Sequence, residues 1–313
     1  MKAVLGIDTS CYTTSCALAD ETGRPLVSER MLLPVKQGTC GLRQSEAVFI
    51  HLKQFPQVLR NVMEKSAAEI AAVCVSAKPV DAEASYMPVF QTGLSMAQSL
   101  SSALCVPCYL TTHQRGHLAA AQIGEKPIEG GFMALHLSGG TTDLLSVRGN
   151  SLTPLACTLD LPAGQLIDRV GVRLGLPFPA GPFLERLAES GRAVGRYGVS
   201  MKEGGLHLSG AEAQAMRDIA SGDMKPQDIA AEVFDFLSRS ILRLLETEGA
   251  AHQLQTALVF GGVASSSLLR RMLSGRMEKR GSELCVRFGK PEYSGDNAAG
   301  VAVIGAGKHF NIL

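Results

Sequence analysis

Near the N-terminus, short apolar runs alternate with polar turns in the pattern of a β-meander. The apolar runs predict strands at residues 3–7, 14–19 and 26–31, with turns at 8–13 and 21–23. The same order of strand, turn, strand, turn and strand recurs later in the chain, at residues 133–137, 143–147 and 151–158. This internal repeat predicts two copies of one structural unit.

Longer segments follow the helical period of apolar residues. After the first meander, helices are predicted at residues 45–64 and 86–104, then a strand at 108–111 and a helix from His113. After the second meander, the predicted elements are helices at 162–174, 182–190, 209–220 and 229–247, a strand at 256–260, a helix at 265–274, a strand at 284–288 and a last helix after Ser294. The alternation predicts an α/β protein.

A length of 313 residues predicts two domains rather than one core. The Gly- and Pro-containing segment at 124–131 reads as a hinge between them. We expect an N-terminal lobe of residues 1–125 plus 295–313 and a C-terminal lobe of residues 126–294.

Charge and cysteine content limit the kinds of partner and the cellular compartment that the sequence predicts. The 30 basic and 29 acidic residues leave a net charge of +1, so no strong overall field draws the chain to nucleic acid or to a membrane. Eight scattered cysteines without a preceding hydrophobic signal predict a cytoplasmic protein with mostly buried thiols. For the pair Cys105 and Cys108, a role in packing is favoured over a redox or zinc site. No apolar run is long enough to predict a membrane span.

Three histidines carry the strongest chemical signal. His113 and His117 are four residues apart, so a helix places both on one face, where neutral imidazoles can hold one metal ion. His136 directly precedes the turn at residues 138–142, whose glycines and hydroxyls can approach a phosphate group. A single histidine is more often an ordinary core or surface residue than a metal ligand. The spacing of His113 and His117 is what favours a metal site.

Several motifs occur in an order that resembles the TsaD family, over nearly the whole chain. They are the segment from Gly6 to Cys11, Thr112 to Leu118, Leu137 to Thr142, Asp168, Gly181 with Pro182, Gly261 to Val263, and Asp296 with Asn297. The resemblance, with the duplicated meanders, implies two ribonuclease-H-like lobes of the actin, sugar kinase and Hsp70 superfamily with a nucleotide cleft between them. It also implies transfer of a threonylcarbamoyl group from threonylcarbamoyl-AMP to N6 of the adenosine next to the anticodon in tRNA.

The resemblance also implies site residues. His113, His117 and Asp296 are the expected metal ligands, and His136 either joins them or lines the cleft; such ligands suit Fe or Zn. The ligand on the nucleotide side is ATP, ADP or threonylcarbamoyl-AMP. Its expected contacts are His136, Leu137, Ser138, Gly139, Gly140, Thr141, Asp168, Gly181, Glu185, Gly262 and Ser266. Expected partners are tRNA and proteins similar to TsaB and TsaE.

Departures from the family pattern leave a second function open. Family members carry acidic residues where this chain has Tyr12 and Thr13, and asparagine where it has Ser266. A divergent paralogue that binds metal and nucleotide and acts as a scaffold or regulator of an authentic member is therefore the alternative. A sugar or acetate kinase leaves the histidine pair without a role, and a peptidase lacks an activated nucleophile.

Overall fold

Residues 1–10, 12–34, 42–202 and 204–312 are described by the computed structural model, which divides into two units. The first unit comprises Met1–Lys126 and Glu292–Leu313, and the second comprises Pro127–Pro291. The strands of the first unit are β1 (Lys2–Thr9), β2 (Thr13–Asp20), β3 (Pro25–Leu32), β4 (Glu69–Lys78) and β5 (Cys108–Thr112). Those of the second are β6 (Phe132–Leu137), β7 (Thr142–Arg148), β8 (Ser151–Cys157), β9 (Ser200–Lys202), β10 (Gly205–His207), β11 (Thr256–Phe260) and β12 (Cys285–Phe288).

Each unit also contains its own helices. The first unit contains α1 (Gln44–Glu64), α2 (Pro88–Leu104), α3 (His113–Ala121) and, from the end of the chain, α9 (Ala299–Phe310). The second contains α4 (Ala163–Arg173), α5 (Gly181–Glu189), α6 (Ser209–Ser221), α7 (Pro226–His252) and α8 (Ser267–Arg280).

The two main sheets have the same topology. In the first unit the order is β3-β2-β1-β4-β5, with an antiparallel meander of β1, β2 and β3 and with β4 and β5 added in parallel. In the second unit β8-β7-β6-β11-β12 repeats this order and these directions. The predicted duplication is therefore confirmed. The central strands β1 and β6 are almost wholly buried, which explains their unbroken apolar runs.

Some elements differ from the sequence prediction. Strand β4 and the hairpin of β9 and β10 were not among the predicted elements. The helix predicted from residue 265 begins two residues later, after a 3₁₀ turn at Val263–Ser265, because the Ser266 hydroxyl caps it. The last helix, expected after Ser294, begins at Ala299, where Asn297 holds the preceding loop.

The expectation of mostly buried thiols is wrong for the described cysteines. Cys16 and Cys74 are buried, Cys108 and Cys157 are partly exposed, and Cys105 and Cys285 are exposed. Cys11 and Cys40 lie outside the described residues. None of the helices in the described part of the chain combines the length and the apolar character needed to cross a bilayer.

Helix α9 packs closely against β1 and α3 because glycines stand at the contacts. A Cβ atom on Gly6 of β1 would lie 2.5 Å from Ala302 N and 2.7 Å from Ala298 O. A Cβ atom on Gly300 would overlap the carbonyl oxygen of Gly116 and lie 2.6 Å from Ala120 N. Backbone atoms cannot rotate away as side chains do, so these positions require glycine. The contact fixes the start of α9 beside α3.

We expect Gly300→Ala to lower the free energy of unfolding by at least about 2 kcal/mol, since the added methyl group forces α9 away from α3. The matched control is Gly275→Ala in α8, where an added Cβ meets no atom within 4 Å. This change stabilises the chain by up to about 1 kcal/mol, because alanine is the better helix former. Urea unfolding of both variants checks the pair. Equal effects of the two substitutions would contradict the close packing of α9.

Candidate active site

The N-terminus of α3 is fixed by a polar cap. The Thr112 hydroxyl oxygen accepts a hydrogen bond from the Arg115 backbone N–H at 3.2 Å and donates one to Asp81 Oδ1 at 3.1 Å. Asp81 in turn accepts a hydrogen bond from Arg115 Nε at 2.7 Å. This arrangement sets the first turn of the helix, so that His113 and His117 lie on the same face.

A second set of hydrogen bonds holds the loop that carries Asp296. The Asn297 side chain donates to the carbonyl oxygens of Tyr293 and Gly295 at 3.0 and 2.6 Å. Its Oδ1 accepts from the backbone N–H of Ala299, the first residue of α9, at 3.0 Å. Arg30 donates to the backbone carbonyl of Asp296 at 3.3 Å. The backbone of Asp296 is thus held from both sides.

His113, His117 and Asp296 meet in the first unit. His117 Nε2 lies 3.0 Å from His113 Nε2 and 3.1 Å from Asp296 Oδ1, and His113 Nε2 lies 3.7 Å from Asp296 Oδ1. Ligand atoms about 2.1 Å from a zinc ion stand about 3.0–3.5 Å apart in octahedral or tetrahedral sites. Two of the three distances lie in this range and the third, 3.7 Å, is slightly longer, so the atoms are close to the spacing of metal ligands. Two imidazoles and one carboxylate suit Zn²⁺ or Fe²⁺ and leave coordination positions for a substrate.

Two of these three side chains are supported by residues at the end of β1, directly after it and at the start of β2. Asp8 Oδ2 accepts a hydrogen bond from His113 Nδ1 at 2.6 Å. Ser10 and Thr13 donate hydroxyl hydrogen bonds to Asp296 Oδ2 at 2.9 and 3.4 Å. None of these three contacts is predicted from the sequence. The available signal was Asp8 itself, a carboxylate at the end of a buried apolar strand.

The charges in this cluster shift the pKa values in opposite directions. Burial lowers the pKa of His113, but the neighbouring Asp8 and Asp296 carboxylates outweigh burial and raise it to about 9. Burial raises the pKa of Asp296, but the hydrogen bond from His117 and the charges of both histidines hold it well below its ordinary value. Without a metal, the cluster therefore carries a proton on His113 at neutral pH.

His136 belongs to the second unit, and its assignment as a ligand stays a prediction. Its Nδ1 lies 3.2 Å from Thr141 Oγ1, and its ring stacks on Phe260 with centroids 5.1 Å apart. The following turn is held internally, because Ser138 Oγ accepts the backbone N–H groups of Gly140 and Thr141 at 3.2 and 3.0 Å. The turn also packs on α4, where a Cβ on Gly164 would lie 2.6 Å from Ser138 O.

Three of the expected nucleotide contacts hold the N-terminal ends of helices in this structure. Asp168 Oδ1 accepts the Ala180 N–H at 2.7 Å, Glu185 Oε1 accepts the Leu268 N–H at 2.8 Å, and Ser266 Oγ accepts the Leu269 N–H at 3.1 Å. Burial raises the pKa of Asp168, which its backbone hydrogen bonds partly offset. These side chains orient α5 and α8, which is a structural role that the sequence did not predict.

Two cavities of the second unit border the expected nucleotide residues. One of about 420 Å³ is lined by Pro182, Glu185, Arg186, Glu189, Ser265 and Ser267. The other, of about 180 Å³, lies against the turn and is lined by Gly140, Thr141, Thr142, Asp143 and residues 158–162. The first cavity is large enough for a small ligand. Gly181 and Gly262 have open space on the side where a Cβ would project, with no atom closer than 3.9 Å.

We expect His113→Ala combined with His117→Ala to reduce zinc or iron bound to the purified chain to background, because only Asp296 of the three ligands remains. His252→Ala combined with His309→Ala is the matched control, since it removes two imidazoles outside the cluster. Elemental analysis measures the bound metal. Equal metal content in the first double variant and the unaltered chain would refute the site.

The raised pKa of His113 predicts how the metal-free chain responds to pH. At about pH 6 His113 is charged in both the folded and the unfolded state, so its ion pairs contribute fully to stability. As the pH rises through about 9, the folded state loses this proton and the contribution disappears, on the order of 2 kcal/mol. Urea unfolding with a chelator present, at about pH 6 and about pH 9.5, measures the loss. The same loss in His113→Asn would contradict its assignment to His113.

Comparison with solved structures identifies the fold. The chain is similar to component A of the (R)-2-hydroxyglutaryl-CoA dehydratase of Acidaminococcus fermentans, with a TM-score of 0.59 and 15% identity over 98% of this chain and 99% of that chain. It is also similar to a ROK family glucokinase of Streptomyces griseus, solved with glucose and AMPPNP, with a TM-score of 0.55 and 13% identity over 96% and 98% of the two chains. The predicted fold of two duplicated ribonuclease-H-like units, which these solved structures share, is confirmed.

Sequence comparison identifies the family. The profile that describes TsaD, tRNA N6-adenosine threonylcarbamoyltransferase, matches residues 38–303. A tRNA N6-adenosine threonylcarbamoyltransferase of Carboxydothermus hydrogenoformans is 31% identical over an alignment of 329 positions, which covers 99% of this chain and 93% of that protein. The family resemblance predicted from the motifs is thereby confirmed, and the chain belongs to the TsaD family of tRNA-modifying transferases.

Proposed function

We propose that this chain transfers the threonylcarbamoyl group from threonylcarbamoyl-AMP to N6 of the adenosine next to the anticodon in tRNA. The observation that carries the proposal is the convergence of His113 Nε2, His117 Nε2 and Asp296 Oδ1 within 3.7 Å of one another, in a chain of this family. Residues that are far apart in the sequence are held in one ligand set. Selection for a bound metal explains that arrangement better than packing does, because packing needs no polar atoms there.

In the proposed site, His113, His117 and Asp296 hold one divalent metal, Fe or Zn. A metal of this kind supplies a Lewis acid that can polarise the carbamoyl carbonyl or bind the threonyl carboxylate and hydroxyl. Ser10 and Thr13 keep Asp296 Oδ2 engaged, so that Oδ1 is the oxygen presented beside the histidines. These residues bind and orient, and none of them has to accept a proton from the substrate.

The second unit binds the nucleotide portion in this proposal. Backbone N–H groups of the turn at 138–142 donate to the AMP phosphate. Two of them now donate to the Ser138 hydroxyl, and the phosphate takes its place as acceptor. Gly262 and Gly181 leave room for the adenosine. Asp168 and Glu185, as acceptors, suit the ribose hydroxyl groups, and each has one oxygen committed to a helix N-terminus.

The transfer step needs little chemistry from side chains. The N6–carbon bond forms at the carbamoyl carbon, the bond from that carbon to the phosphate oxygen breaks, and AMP leaves with the electron pair, while N6 loses a proton that passes to solvent water. AMP is a good leaving group, so correct placement of the two substrates supplies much of the acceleration. We propose tRNA as substrate and proteins similar to TsaB and TsaE as partners.

One observation favours the scaffold or regulatory alternative. Thr13 is 2% exposed, and its hydroxyl contacts Asp296, at a position where family members carry an acidic residue. A threonine hydroxyl cannot take a proton as a carboxylate can. A chain that keeps metal and nucleotide binding but has lost a proton acceptor would bind its ligands without transfer.

A transfer assay distinguishes the two functions. The purified metal-loaded chain, supplied with TsaB-like and TsaE-like partners, labelled threonylcarbamoyl-AMP and unmodified tRNA, is expected to label the tRNA. His117→Ala is expected to reduce transfer at least about 100-fold, because the metal ligand is lost, whereas His252→Ala on the surface of α7 leaves it unchanged. Absence of labelling by a chain that still binds the nucleotide would sink the transferase proposal in favour of the scaffold.

A further inference from the structure

Asp8 is a buried carboxylate that the ligand set does not include. It lies in β1, where it is 1% exposed, and β1 is hydrogen-bonded to β2 on one side and β4 on the other. Its Oδ2 accepts from His113 Nδ1 at 2.6 Å, and its Oδ1 is buried without a hydrogen-bond partner among the described residues. Burying a charge in this way is costly unless a specific positive partner compensates for it.

The hydrogen bond between Asp8 and His113 determines which ring nitrogen of His113 is available to bind a metal. A carboxylate only accepts hydrogen bonds, so Nδ1 of the ring carries a proton and donates it to Asp8. The remaining nitrogen, Nε2, is the one that lies 3.0 Å from His117 Nε2. In proteins, a histidine that binds a metal through one nitrogen commonly donates the other N–H to a carboxylate, which fixes its ring and makes it a stronger ligand.

Charge balance leads to the same assignment. The ligand atoms of His113, His117 and Asp296 bring one negative charge to a divalent cation, and a buried Asp8 brings the second. The pair of carboxylates therefore neutralises the cation inside the unit. Asp8 lies at the end of β1, and Ser10 directly follows the strand. One strand end thus supports His113 through Asp8 and Asp296 through Ser10.

We propose that Asp8 is the positioning residue of the metal centre: it fixes His113 as an Nδ1–H tautomer that binds the metal through Nε2. This inference rests on the metal site of the proposed function and adds to it a residue that does not touch the metal.

Metal affinity tests the proposal. The full chain is stripped with a chelator, and Zn²⁺ affinity is measured by competition with a chromophoric chelator. Asp8→Asn keeps the shape of the side chain and removes its charge, and it is expected to weaken Zn²⁺ binding about 10- to 100-fold. Asp218→Asn is the matched control, because Asp218 is also buried and bonded to a cation, Arg196, but lies in the second unit. It is expected to leave Zn²⁺ affinity unchanged.

A direct measurement of the tautomer does not depend on how Asp8→Asn folds. In the ¹⁵N-histidine-labelled, zinc-loaded chain, the His113 ring, assigned by its absence in His113→Gln, is expected to show a protonated Nδ1 and a metal-bound Nε2. Zn²⁺ affinity of Asp8→Asn within about threefold of the unaltered chain, or a metal-bound Nδ1, would overturn the proposal. An unaltered chain that binds neither Zn²⁺ nor Fe²⁺ would remove the metal centre itself, which is a distinct result from failure of Asp8 alone.

Discussion

The close contact of α9 with β1 and α3 is the constraint on which the site depends. Gly6 and Gly300 allow backbone to meet backbone where any side chain would hold the helix away. Because α9 is held there, the loop before it brings Asp296 to His117, a residue 179 positions earlier. A displacement of about 1 Å at this contact would separate the ligand atoms beyond the spacing that a metal accepts. Small residues in a helix interface therefore set the geometry of polar atoms that they do not touch.

The sequence predicts what depends on local patterns. Apolar runs and turns reveal the duplicated meander, since strand periodicity needs only neighbouring residues. The spacing of His113 and His117 likewise reveals a pair on one helix face. Asp296 enters only through the family resemblance, and the hydrogen bond between Asp8 and His113 joins residues 105 positions apart without any local signal. Such pairs are fixed by tertiary packing, which the pattern of a single segment cannot show.

The two copies of the meander use their first turns differently. In the first unit, Ser10 and Thr13 direct hydroxyl hydrogens to a carboxylate from the far end of the chain. In the second unit, Ser138 directs a hydroxyl oxygen to the amides of its own turn. The same position in the meander therefore presents hydroxyl donors in one copy and a self-contained turn in the other. The duplicated fold supplies the position, and in the proposed function the choice of side chains assigns metal binding and nucleotide binding to different copies.

The first unit is built from two separate stretches of the chain, and this has a consequence for biosynthesis. Its sheet is made early, but α9 is translated only after all of the second unit. Until then the face of β1 and β4 that α9 covers, with Val4, Ala72 and Cys74, has no partner for its apolar surface. Nascent chains with such surfaces are prone to aggregate. On the ribosome the second unit is complete first, and the proposed metal ligands assemble only once Asp296 has emerged from the exit tunnel.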